Sequence, residues 1–252
     1  MNFFIFSLLD AMAKQNISIF CNLNFVKSAV FFSNLHELSI HLKIVADYYF
    51  DFLSTLGLLP PEAIKKEHVC HYNNLDLSGS DRTVDQILQK FNRMPAFNDE
   101  IFPIHLRYTD DDNMHLVVGI VHEEDDNKGF LHAIDLHLPK NLLKNVPSNV
   151  MYVKDILDSY PIGEKQTVKE FIEKRGYTYS QFQRDCKICF GDAFYSFRLK
   201  INMMEAVGDI IFTNLSLKEV AFKNKFLDYA NMYKAFVRHG LSLTNIPRLA
   251  NL

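Results

Sequence analysis

Three regimes of hydrophobic patterning follow one another along the chain. Residues 16–59 carry long apolar stretches at helical spacing (NLNFVKSAVFFSNLHELSIHLKIVADYYFDFLSTLGLL), closed by Pro60 and Pro61. They are more hydrophobic than a solvent-facing helix needs, which predicts a core or a helix–helix dimer interface. Beyond the prolines, Thr83 to Phe91 reads as a further capped helix. IFPIHLRYT, MHLVVGIVHE and GFLHAIDLHL then read as strands separated by the turn-rich DDDN and EDDNKG segments. The pattern predicts a small antiparallel sheet with helices packed on one side. Pro139, Pro147, Pro161 and Gly163 lie in a polar stretch that marks the boundary to the third regime.

That third regime is wholly helical. TVKEFIEKRGYTYSQFQRDCKICFG opens with Thr167 three residues before Glu170, and SLKEVAFKNKFLDYANMYKAF opens with Ser216 three residues before Glu219. Both are capping boxes, in which cap and acid satisfy each other's backbone amides. After the first cap, Val168, Phe171 and Ile172 recur at helical spacing. Gly176 then supplies the left-handed residue that turns the chain, and a second helix turns Phe182 and Cys186 inward before Gly191. In the second copy Leu217, Val220 and Ala221 take the inward places, Lys225 stands at the turn, and Met232 and Phe236 form the inward pair. The caps lie 49 residues apart. Between the copies, DAFYSFRLKINMMEAVGDIIFTN has apolar residues at Phe194, Phe197, Ile201, Met204, Ile210 and Ile211, the pattern of one long linking helix weakened locally by Gly208.

Composition bounds the reading without deciding it. A length of 252 residues with 48% hydrophobic and 23% charged residues fits one large domain or two ordinary ones. The net charge of -3 hides an asymmetry: from Glu164 onward there are 14 Lys and Arg against 9 Asp and Glu. Local basicity favours phosphate backbones through counterion release, although a solvated helix face has the same composition. The opening MNFFIFSLLDAMA is interrupted by Asp10, has no basic segment before it and falls short of the roughly 20 residues of a membrane span. The expectation is a cytoplasmic protein with no membrane partner.

Candidate chemistry is sparse. Four cysteines make no disulfide framework, and Cys186 with Cys189 is a lone C-x-x-C that reads as core. His105, His115, His122, His132 and His137 crowd the strand region but lack the spacing that places two on one face of one element, so they read as scattered histidines without a metal. No G-x-S-x-G, H-E-x-x-H or Gly-rich phosphate loop occurs, so the chain is read as no enzyme and as needing no cofactor.

The C-terminal pattern resembles the DNA-binding domain of the AraC/XylS family of bacterial transcription regulators over about residues 164–247. The features that carry the likeness are Gly176, the QFQRDCK helix, Gly191, Ala206, LSLKEVA, Phe226 and MYKAF. The sequence departs from the family at Asn202, Lys225, Met232 and HGLSLTNIP. The resemblance implies an all-α domain (164–252) of two helix-turn-helix units joined by a long helix, and the patterning before it gives an α+β N-terminal domain (1–160) expected to sense a signal or dimerise. The resemblance also implies that the two recognition helices enter successive major-groove segments about 34 Å apart.

Tyr179, Ser180, Gln183 and Arg184 form the expected DNA-facing surface of the first unit. Tyr229, Asn231, Tyr233 and Lys234, beside Ala230, form that of the second. Gln and Asn pair with adenine, Arg and Lys with guanine, and the tyrosines either meet phosphates and thymine methyls or cover the linking helix. Double-stranded DNA is the expected partner, with a small-molecule effector or a second copy of the chain at the N-terminal domain. The competing expectation is a metabolite-binding or enzymatic module whose C-terminal helices serve protein contact.

Overall fold

The computed structural model describes residues 1–22, 35–73, 84, 87, 101–124, 128–161 and 166–250. They form an α+β structure. The chain divides into two compact units, one made of Met1–Leu8, Phe52–Leu59 and Leu142–Leu252, the other of Leu9–Asp51 and Pro60–Asn141.

The second unit is built on a four-stranded antiparallel sheet of β1 (Ile64–Asn73), β2 (Ile101–Thr109), β3 (Asn113–Glu124) and β4 (Lys128–Pro139), in the order β1-β4-β3-β2. The three strands expected from alternation are present, and β2 has the bounds that alternation gives it. Strand β1 was not expected. It forms an edge with Lys65, Lys66 and Glu67, and the opposite edge, β2, contains Pro103; charge and proline both discourage further strand addition. At the centre, a Cβ on Gly119 would stand 2.3 Å from the carbonyl oxygen of His132, so glycine is required for β3 and β4 to approach as they do.

Helices occupy both sheet faces, where one side was expected. Helix α1 (Phe3–Asn22) and helix α2 (Leu35–Thr55) supply the partners of one face. There Ser39 meets His132 at 2.6 Å, Asp10 meets His105 at 2.9 Å, and Lys43 and Asp47 pair with Glu67 and Lys65. Ile104, Val117, Val121, Leu131 and Ala133 face the other way, and the helical residues Val84 and Ile87 pack on them. The remainder of the expected 83–91 helix lies outside the described residues. A sheet whose two faces are both apolar must be covered twice, which is why a single layer of helices does not suffice.

Among the described residues α1 is the one helix long and apolar enough to cross a membrane, because it continues through Asp10 to Asn22. This corrects the sequence reading of a stretch too short to do so. The Asp10 carboxylate accepts from His105 and, at 3.3 Å, from Arg107, so its charge is satisfied inside the protein.

The other unit is helical: α3 (Tyr152–Ser159), α4 (Val168–Glu173), α5 (Tyr179–Phe190), α6 (Phe194–Phe212), α7 (Leu217–Lys223) and α8 (Tyr229–Arg238). Its aromatic core stacks Phe190 on Phe197 with centroids 4.3 Å apart and sets Phe182 against Phe194 at 5.3 Å. It starts earlier than the expected residue 164 and takes in N-terminal segments. Phe4 lies 5.5 Å from Phe190, Phe52 stacks on Phe236, and Val153, Ile156 and Leu157 of α3 are buried. Burial of this kind cannot be read from patterning within residues 164–252, because its partners come from distant parts of the chain.

Candidate nucleic-acid interface

Each outward surface is positioned by a short helix, a turn and a longer helix. In the first pair Thr167 accepts from the Glu170 amide at 3.2 Å and Glu170 accepts from the Thr167 amide at 2.9 Å. That reciprocal bonding holds the Glu170 carboxyl below its usual range. Helix α4 buries Val168, Phe171 and Ile172, and Gly176 turns the chain with a φ of 83°. Helix α5 starts at the Thr178 cap, buries Phe182, Asp185, Cys186, Cys189 and Phe190, and ends on left-handed Gly191. Burial pushes the Cys186 thiol up to about 12 and that of Cys189 to about 11, so the C-x-x-C consists of protonated core thiols.

The second pair repeats this construction. Ser216 and Glu219 exchange bonds of 3.3 and 2.8 Å, and their cap lowers the Glu219 carboxyl. Helix α7 buries Val220 and Ala221, while Leu217 is only half-buried. Lys225 turns the chain with a φ of 61°, the one positive φ at a non-glycine among the described residues. The turn is held from below by Asp209 of α6, which accepts from Lys223 at 2.7 Å and from the buried Asn224 at 2.7 Å. Helix α8 then buries Met232, Ala235 and Phe236. Helix α6 packs against α5 as well as against α7 and α8.

The residues singled out from sequence fall on the outer sides of α5 and α8. Ser180 is exposed, and the Arg184 side chain is 72% exposed with its Nε 3.8 Å from Asp185. Tyr179 and Gln183 are half-buried, and the Tyr179 ring lies 6.5 Å from Phe182, so it partly covers the core. On α8, Tyr229, Asn231, Tyr233 and Lys234 are all exposed, and the two tyrosine rings lie 6.1 Å apart. Asn231 is already engaged: its side-chain amide donates to the Asp228 cap at 2.9 Å. Sequence reasoning missed this tie, although Asp228 stands where a cap residue belongs. It also missed Phe222 and Leu227, which flank the turn at 81% and 89% exposure.

The histidines are not scattered. His105 bonds Asp10, and His132 lies 3.0 Å from Glu67. His115 and His137 converge with His68, a residue sequence reasoning did not consider, on the buried carboxylate of Asp135. Burial opposes ionisation of Asp135, and hydrogen bonds from His68 and His115 overcome it and hold the carboxyl below its usual range. Burial likewise pushes His137 down. A hydrogen bond from His115 sets Asp110 far below the carboxylate range. Spacing within one strand could not reveal this group, since its members come from three strands and a turn.

Comparison of the chain with protein-family models, with curated proteins and with solved structures gave no match.

Proposed function

We propose that the helical unit binds double-stranded DNA through two helix-turn-helix modules, α4–α5 and α7–α8, and that the protein is a transcription regulator whose sheet unit receives the controlling signal. The observation that carries this reading is the duplicated construction. Two short helices open on capping boxes, two left-handed residues turn the chain, and two longer helices present polar residues outward from one intervening helix. Helix α6 has 19 residues. At 1.5 Å per residue it is about 28 Å long, and it packs against α5 as well as against α7 and α8. On α5, Ser180 and Arg184 offer a donor–acceptor group and a bidentate donor to base edges; on α8, Lys234 and the tyrosines suit phosphates.

Selection of bound duplexes from a random library by the full chain tests the proposal. Recovery of a motif with two half-sites about one helical turn apart is the expected result, with affinity falling steeply as salt rises. Failure to enrich any motif, together with salt-independent binding, would remove it.

A second reading has its own support. Phe222 and Leu227 are large, apolar and exposed beside the second turn, as expected of a surface that meets protein. If α7 and α8 serve protein contact, Phe222→Ser with Leu227→Ser leaves DNA selection by α5 intact.

A further inference from the structure

One face of the sheet changes character along its length. At one end Val117, Val121, Leu131 and Ala133 are buried and apolar. At the other the same rows continue as His115 of β3 and as Asp135 and His137 of β4, with His68 of β1 beside them. The register dictates the meeting: His115 pairs with His137, Val117 with Asp135, and His68 with Ala133, so all four side chains project from one side of the pleat.

Asp135 is fully buried, and three imidazoles converge on one of its oxygens. Its Oδ2 stands 2.9 Å from His137 Nε2, 3.0 Å from His115 Nδ1 and 3.8 Å from His68 Nε2. His115 has a second anchorage: its Nδ1 also reaches Asp135 Oδ1 at 3.2 Å and its Nε2 reaches Asp110 Oδ2 at 2.9 Å, while its ring stacks on Tyr108 at 4.2 Å. His68 and His137 present their Nε2 atoms toward the same oxygen.

We propose that His68, Asp135 and His137 bind a divalent transition-metal ion of the zinc or iron(II) class. One ligand atom from each of the three lies within 4.8 Å of the others. Donors about 2.1 Å from a tetrahedral ion stand about 3.4 Å apart, inside the spread of separations at Asp135. Two imidazoles and a carboxylate suit zinc and iron(II), whereas calcium and magnesium take oxygen donors. His115 is the outer support: it bonds the Asp135 carboxylate and is itself held by Asp110, the kind of arrangement that orients ligands in built metal sites. Three protein ligands leave a coordination position for water or a small oxygen or nitrogen ligand. Ion binding does not depend on the DNA-binding reading and stands or falls separately from it.

The test uses the full chain without an affinity tag, stripped with chelator and titrated with Co²⁺, followed by visible absorption and by metal analysis after gel filtration. One ion per chain is expected, with a rise in Tm when Zn²⁺ is added. His68→Gln and His137→Gln, checked for folding by circular dichroism, should each lose affinity at least about tenfold, and His115→Gln about tenfold through loss of outer support. His71→Gln, exposed on the opposite face of β1, should leave binding unchanged. Substoichiometric uptake by the wild type, or unaltered affinity in folded His68→Gln and His137→Gln, overturns the proposal. If those variants do not fold, the wild-type cobalt spectrum decides instead: nitrogen and oxygen ligation upholds the site, and thiolate charge-transfer bands overturn it.

Discussion

The side-chain amide of Asn2 donates to the backbone carbonyl of Cys189 at 2.7 Å, across 187 residues of chain, while its own oxygen accepts from the Ile5 amide at 3.0 Å. One residue therefore caps the start of α1 and satisfies a carbonyl near the end of α5. Asn2→Ala removes both bonds and leaves a buried carbonyl unpaired, for a loss of about 2 kcal/mol in urea unfolding. Asn2→Asp retains the cap but sets a carboxylate oxygen against the carbonyl. It should not restore stability, and full recovery by Asp would show that the cap alone matters.

Lys225 occupies the left-handed region at a φ of 61°, where a Cβ crowds the following carbonyl. Lys225→Gly should raise stability by about 1 kcal/mol, and Gly176→Ala, at a φ of 83°, should lower it by a similar amount. Thermal melts of the two variants check the pair. Equal midpoints for Lys225→Gly and wild type would mean that the second turn stores no strain.

Arg184 is exposed and only loosely associated with Asp185, so it is free to reach a base edge. Arg184→Ala should relax preference at one position of the selected motif by about 1–3 kcal/mol. Lys223, which stands at the second turn on Asp209, should act differently. Its replacement by Ala is expected to weaken selected and scrambled duplexes alike and to reduce the salt slope by about one. Fluorescence anisotropy on both duplexes at several salt concentrations separates these outcomes; equal losses on both duplexes for Arg184→Ala would count against base reading.

His132 is buried between α2 and β1, with Ser39 on one ring nitrogen and Glu67 on the other. Burial pushes its pKa below the ordinary 6.5, and the Glu67 carboxylate offsets this only in part. The unfolded chain therefore takes up a proton at a higher pH than the folded one. Stability conferred by the neutral ring is complete above pH 6.5 and declines as the pH falls from there toward the folded value. Between pH 7.5 and 5 the wild type should lose more Tm than His132→Gln does. Parallel curves would assign the acid sensitivity to other groups.

Much of the helical unit was legible because its signals are local. The Thr167 and Ser216 caps, the turns at Gly176 and Lys225 and the ends of α6 each depend on residues within about four positions, and they stand where the pattern placed them. Strand β1 was illegible for the opposite reason. The face that carries buried His68 and half-buried Cys70 also carries exposed Ile64 and Lys66, so no alternation of apolar and polar residues marks the strand, and its strand state follows from pairing with β4. The boundaries of the helical unit were obscured for the same reason, since Phe4 and Phe52 join its core from outside the segment that shows the pattern.

The amino-acid sequence by itself determined the two capping boxes, the turns at Gly176 and Lys225 and the inward pairs Phe182 with Cys186 and Met232 with Phe236, because caps, left-handed turns and helical periodicity act over a single turn of chain. Only the tertiary structure decided that His68, His115, Asp135 and His137 share one buried place. That meeting depends on the register between β1, β4 and β3, and register is settled by the packing of whole strands rather than by the spacing of residues along any one of them.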